Sequence, residues 1–319
     1  MRIFTQEKIS SAINIKEVIE TVKNGFISHY KGQTSAPDPM QFLFKEEGEL
    51  IGDCHVKGAQ SESIDMFAVK VASGFYNNSN LNLPTNNGLV LLFSSITGQP
   101  EALLQDEGLL TSACTAAAGA LAAGIVKTNS DDVLGIIGSG EQAKKQAIWI
   151  CKYLGLSQIR IWARSQKKSH KLAKTLNSQS LNCSVAETTT DLCEECRIVV
   201  TTTPSTTPVL YSKDIVNSTH IVAIGADSPG KQELDPEILK RANIIITDDH
   251  IQCLNHGEFG AAIRETYVLP NSDVSLGSFL STERKLKFNE NTISVVDLTG
   301  MGIQDLAIAT LIYQKISKD

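Results

Sequence analysis

Apolar positions change period several times along the chain, and each change marks an element. From Ile9 to Tyr30 the apolar residues Ile13, Ile15, Val18, Ile19, Val22, Phe26 and Ile27 recur at helical spacing, which predicts one helix. Strand-like runs follow at Met40 to Phe44, His55 to Lys57, Met66 to Ser73 and Leu89 to Ser94, separated by Asn-, Gly- and Pro-rich loops such as Asn77 to Gly88. This texture predicts an α+β domain. Thr111 to Val126 is uncharged and rich in Ala and Gly. It is short of the ~20 residues that cross a bilayer and reads as a tightly packed internal helix.

The pattern then becomes that of an α/β sheet. Val133 to Ile137 is apolar and β-branched, breaks on Gly138 and Gly140, and gives way to Ala143, Ala147, Ile150 and Cys151 at helical steps. Further strands are expected at Gln158 to Ala163, Arg197 to Thr202, His220 to Ile224, Asn243 to Thr247 and Thr292 to Leu298, which together predict a doubly wound parallel sheet, the Rossmann arrangement. Each strand leads into a polar or glycine-containing loop, among them Thr201 to Thr206, Gly225 to Gly230 and Gly300 to Gly302. Asp235-Pro236 starts a helix, and Gln304 to Ile316 reads as a last amphipathic one. The expected boundaries are 1–114 with 303–319 for the first domain and 115–302 for the Rossmann domain inserted in it.

Composition narrows the partners. A net charge of −6 leaves no basic footprint for nucleic acid. The first residues lack the basic, apolar, small-residue order of a signal peptide, and no segment reads as a membrane span. Seven scattered cysteines point to a reducing, cytoplasmic setting. Cys193-Glu-Glu-Cys196 has metal-like spacing but no second pair, so no metal is expected and the pair is read as closing a helix.

The candidate chemistry starts at the glycine turn. Gly138 permits a tight turn, Gly140 lets backbone N–H groups approach a pyrophosphate, and the residues around them, Ser139, Glu141 and Gln142, complete a dinucleotide cradle at a helix N-terminus. The next strand ends on Ala163-Arg164-Ser165 without an acid for the adenine-ribose 2′-hydroxyl, which favours NADP over NAD. Arg164 as a solvated residue accepting both cofactors is the alternative. Lys70, between valines, either snorkels from an edge strand or meets an anionic substrate in a cleft. His55 and Lys57 add an imidazole and a second cation. Asp227 is either a general acid or base at the cofactor crevice or a turn-forming residue ahead of Pro229. The residues thus describe a cytosolic, nicotinamide-dependent enzyme acting on a small, anionic molecule.

Several longer runs carry a resemblance. Leu109-Leu-Thr111 followed by Thr115-Ala-Ala, the glycine turn continuing to Gln142 and Gln146, Thr201-Thr-Thr-Pro204, Ile224-Gly-Ala-Asp-Ser-Pro-Gly-Lys-Gln-Glu-Leu234, and Asp297 to Asp305 together resemble the ornithine cyclodeaminase/μ-crystallin family over nearly the whole chain. Asp53 to Gly58 with Lys70 to Tyr76 looks most like the branch of iminosuccinate reductases and ectoine-utilisation proteins. The resemblance implies a homodimer whose first domain and C-terminal helix form the dimer and substrate platform. It implies reduction of α-imino acids, oxidative deamination of the matching amino acids, or cyclisation of a diamino acid with ammonia release; some members bind NADPH as ligand-binding proteins. Lys70 would contact the substrate, Asp227 would handle the proton, and Thr85, Thr111, Thr201, Thr202 and Thr203 would approach the cofactor. The family's Arg-Thr-Ala-Ala, whose arginine grips the substrate carboxylate, is Cys114-Thr-Ala-Ala117 here. The expected earlier basic residue is Met40. Lys57 and Lys70 then hold the acid as point charges, or the substrate has no α-carboxylate.

Overall fold

The computed structural model describes residues 1–75, 77–287, 289 and 291–318. Tyr76, which ends the run read from Lys70, and Asp319, the last residue of the first domain, lie outside the described residues. The chain divides into two compact units, Met1–Cys114 with Met301–Asp319, and Thr115–Gly300.

In the first unit the segment expected as one helix forms two, α1 (Gln6–Ala12) and α2 (Ile15–Tyr30). Asn14 parts them because its side-chain oxygen accepts from the Lys16 and Glu17 N–H groups at 3.0 and 3.3 Å, a start signal hidden within a continuous apolar period. Strands β1 (Arg2–Phe4), β2 (Thr34–Ser35), β3 (Met40–Glu46), β4 (Glu49–Ser61), β5 (Ile64–Phe75), β6 (Asn86–Ser94) and β7 (Pro100–Leu104) form one sheet. Its order is β1-β7-β6-β5-β4-β2, with β3 also paired to β4.

Register decides what each face carries. Lys57, Lys70 and Val90 are aligned in succession across β4, β5 and β6, as are Ala59, Ala68 and Leu92, so these six share one face. Met40, Val56, Val71 and Leu89 align on the opposite face. The first face packs on the C-terminal helix, α11 (Gly302–Ile316), which also packs on α2. This helix is buried on nearly every side from Gly302 to Thr310, not on one stripe as its apolar spacing predicted, because the sheet and α2 cover it together. It meets β4 closely: a Cβ on Gly302 would stand 2.6 Å from the Gly58 carbonyl oxygen.

Helix α3 (Leu109–Ala123) supplies its first residues to the first unit and the remainder to the second. The second unit then alternates β8 (Val133–Ile137), α4 (Glu141–Leu154), β9 (Gln158–Trp162), α5 (Gln166–Asn177), β10 (Asn182–Val185), α6 (Thr189–Glu195), β11 (Cys196–Thr201), β12 (Thr219–Ala223), α7 (Pro236–Arg241), β13 (Ile244–Thr247), α8 (His250–Asn255), α9 (Glu258–Arg264), β14 (Asp273–Ser275), α10 (Leu276–Ser281) and β15 (Ile293–Asp297). The strands are all parallel in the order β10-β9-β8-β11-β12-β15-β13-β14. The winding reverses between β8 and β11, and such a reversal opens a crevice at the carboxyl ends of those strands. Cys193 and Cys196 close α6 and open β11, both buried. Among the described residues no helix is long and apolar enough to cross a membrane.

Candidate functional site

At the switch point of the second unit, Gly138 has φ 131°, and a Cβ there would stand 2.4 Å from Thr202 Oγ1. Its N–H donates to the Trp162 carbonyl at 2.8 Å, and the Thr202 N–H donates to the Ile137 carbonyl at 2.9 Å, so the ends of β8, β9 and β11 are stitched around the glycine. Gly140 is the N-cap of α4 without a side-chain cap, and a Cβ added to it would meet nothing within 4 Å. Ser139, Glu141 and Gln142 flank this bare helix start, while Ala143 is fully buried. The uncapped start of a 14-residue helix, with open space where a Gly140 Cβ would stand, suits a pyrophosphate. Arg164 is exposed just beyond β9, and Ser165 caps α5 by accepting from the Lys168 N–H.

The threonine loop follows β11. Thr201 is fully buried, and its hydroxyl donates to Glu233 Oε2 at 2.7 Å. The same carboxylate accepts from the Thr203 N–H at 2.5 Å and the Gly225 N–H at 2.6 Å. Glu233 thereby ties the loop carrying Thr202 and Thr203 to the loop carrying Asp227. Asp227 itself is half exposed and sits 2.7 Å from Lys231 Nζ, with the Ser228 hydroxyl donating to it at 3.2 Å.

Glu233 was not singled out in the sequence, although it lies inside the Gly225 to Leu234 run. Nor were three further buried acids behind it. Glu258 accepts from the Glu233 and Leu234 N–H groups, Asp297 from the Phe259 N–H, and Asp248 from the Thr299 and Gly300 N–H groups. Burial first, then the neighbouring Asp248, pushes the Asp297 carboxyl up to about 7. Between about pH 4 and 7 the folded state therefore holds a proton that the unfolded chain has released, and stability falls as pH rises through that window. The expected loss is up to about 4 kcal/mol at 1.36 kcal/mol per unit. An Asp297→Asn variant, which keeps an acceptor for Phe259, should flatten this slope in urea titrations at pH 4 to 8; an unchanged slope would assign it to another group.

In the first unit Lys70 lies on the buried face of a central strand, neither on an edge nor reaching solvent. Its Nζ is 2.7 Å from Asp305 Oδ2, and both side chains are less than a tenth exposed. Burial pulls the ammonium pKa down, but Asp305 and the other acidic groups around it together more than offset it, and Lys70 is held above its usual value. Cys114 Sγ donates to the Thr111 carbonyl at 3.2 Å and to Asp305 Oδ1 at 3.5 Å. Burial and Asp305 push this thiol strongly up, so it stays protonated. Asp106 caps α3, its Oδ2 accepting from the Leu110 N–H at 2.8 Å, and its burial raises its pKa. Lys57 stands directly across from Lys70. His55 Nε2 is 3.7 Å from Asp53 Oδ2 on the same face as Lys57.

Met40 does not join this group. Strand alternation puts it on the opposite face, beside Val56, where it is 60% exposed. Thr85 is exposed, and its carbonyl accepts from the Phe75 N–H at 2.8 Å. Asp305, the centre of the cluster, was legible only as the end of the Asp297 to Asp305 run.

The family profile for ornithine cyclodeaminase/mu-crystallin matches residues 1–319. An uncharacterized cyclodeaminase of Sinorhizobium fredii, y4tK, is 36% identical over 83% of this chain and 80% of its own. Among solved structures, a dimeric archaeal alanine dehydrogenase with bound NAD is 29% identical with a TM-score of 0.88, covering 100% of this chain and 96% of its own. The iminosuccinate reductase of Paracoccus denitrificans in complex with NAD+ is 26% identical with a TM-score of 0.87, again covering 100% and 96%.

Proposed function

This chain belongs to the ornithine cyclodeaminase/mu-crystallin family, and we propose that it is an NAD(P)-dependent oxidoreductase that reduces a small imine or α-imino acid, or oxidatively deaminates the matching amine. The carrying observation is the uncapped start of α4 at the switch point, where Gly138 makes the tight turn against Thr202 and Gly140 leaves room for a dinucleotide pyrophosphate. When bound, the nicotinamide supplies or accepts the hydride. Thr202, Thr203 and Arg164 line the cofactor's path along the strand ends in this reading. Arg164 and the absence of an acid beside it support acceptance of NADP, while the two NAD-bound relatives support NAD.

Lys70, fixed by Asp305, orients the substrate, with Lys57 and Cys114 beside it. Asp227 exchanges a proton with the substrate nitrogen or a water. A nicotinamide absorbance assay with NADPH and NADH in parallel, against keto acids mixed with ammonia or methylamine and against cyclic imines, tests the reading. Turnover is expected. Ammonia release from diamino acids without net nicotinamide change would replace it with a cyclodeaminase, and cofactor binding without any reaction would replace it with a ligand-binding protein. Seven free thiols, six of them buried, support a cytoplasmic setting.

The protein is further proposed to be a homodimer. On the sheet face opposite Lys70, Met40, Phe42 and Phe44 are exposed in line with Val56 and Val71, and a continuous apolar face of this kind fits a second copy. A Phe42→Glu variant should shift the mass from dimer to monomer by light scattering; an unshifted dimer would place the interface elsewhere.

A further inference from the structure

We propose that the preferred substrate is an imine bearing no carboxylate on its imine carbon, a small cyclic or alkyl imine bound neutral or as its iminium cation, and that Cys114 sets this choice. The proposal rests on the reading above that the Lys70 cluster receives the substrate. It follows from the charges and donors assembled there. Lys57 and Lys70 are formally balanced by Asp106 and Asp305, and Asp305 is already within 2.7 Å of Lys70 Nζ. Asp53 and His55, further along the Lys57 face, add a carboxylate and no permanent cation. A carboxylate brought into such a cluster leaves water without finding a net positive charge, and lies near two acids that repel it.

The donors lead to the same result. Tight carboxylate recognition uses a guanidinium fork or several convergent N–H groups. Arg2 is the only arginine in 1–114 and 301–319, and it is bonded to the Ser317 carbonyl at 2.9 Å. Cys114 is buried in the cluster as a thiol, whose single weak hydrogen is shared between the Thr111 carbonyl and Asp305. Without the acid the imine asks less: bound neutral it brings no charge into a cluster that is already balanced, and as an iminium it offers an N–H donor to a carboxylate oxygen. Reduction adds a hydride from the reduced nicotinamide to the imine carbon. The C=N π bond breaks and its pair moves onto nitrogen, which keeps the proton of the iminium or takes one up if it arrived neutral, giving an amine and the oxidised nicotinamide.

The test compares 1-pyrroline with Δ1-pyrroline-2-carboxylate, the same ring without and with the acid, by kcat/KM with NADH and NADPH. Calorimetry of pyrrolidine against L-proline, on protein saturated with oxidised cofactor, supplies a readout independent of turnover. At least a 10-fold preference for the carboxylate-free member is expected in both. Equal use, or preference for the acid, would overturn this proposal and leave the reductase standing. Reaction with neither imine and binding of neither amine, alongside turnover in the keto acid and amine assay above, would overturn this proposal alone; silence in that assay as well would remove the reductase reading and this proposal with it. Cys114→Arg should reverse the order, with at least a 10-fold gain in kcat/KM on the acid. A folded variant with no gain would take the choice away from Cys114, and the wild-type comparison decides the substrate class even if that variant does not fold.

Discussion

An Asp227→Asn variant is expected to bind reduced cofactor as tightly as the wild type and to lose about 10²- to 10⁴-fold in kcat, the usual contribution of a positioned acid or base. Asparagine preserves shape and one acceptor but cannot exchange the proton. Folding should be little affected: Asp227 is half exposed, and its pair with Lys231 is a surface ion pair of the kind worth about 0–1 kcal/mol. Its backbone is held independently through Glu233, which accepts from the Gly225 N–H. Fluorescence titration of NAD(P)H and steady-state kinetics on the same preparation separate binding from chemistry. A kcat unchanged within 2-fold or so would leave Asp227 as a turn residue.

Replacing Asp305 by Ala is expected to be the most damaging single change to the first unit. It strands the buried Lys70 ammonium, and breaking one side of a buried ion pair costs about 3–5 kcal/mol. The pH dependence should invert as well. In the wild type the raised Lys70 pKa contributes stability that is present below the unfolded lysine value and lost as pH rises through the folded one. Without Asp305, burial dominates and the folded pKa drops below the unfolded value. The variant should then be weakest at neutral and acidic pH and recover toward pH 10. Urea unfolding at pH 6, 8 and 10 reads both effects. Adding Lys70→Met to Asp305→Ala should restore most of the lost stability, since no unpaired charge remains; a double variant as weak as the single one would assign the loss to packing of α11.

The parallel sheet was legible because each of its main strands is an apolar run ending in a glycine or polar loop, a pattern that local sequence writes directly. The glycine turn was legible for the same reason: Gly138, Gly140 and Ala143 sit within six residues of one another. Other features depend on partners far away in the chain. Nothing around Lys70 announces Asp305, because the two residues meet only when the last helix is laid across the sheet. Thr201 and Thr203 look alike in sequence, but the first points inward from β11 toward Glu233 and the second follows the strand end. The break at Asn14 was hidden because a capping side chain can interrupt a helix without interrupting its apolar period. That Met40 lies on the face opposite Lys70 was not legible, because the face a strand residue occupies is fixed by register and not by counting along the chain.

The same register restricts how this chain can change in length. Lys57 and Lys70 are brought opposite each other by the hairpin that joins β4 to β5, and a strand's side chains exchange faces at every residue. One residue gained or lost between the hairpin turn and Lys70 would turn the lysine outward, onto the apolar face, and turn a valine inward against Asp305. Two residues would restore the faces but displace the lysine by about 7 Å along the strand. Insertions should therefore be accepted beyond the tip of this hairpin, and the strand before Lys70 should keep its length.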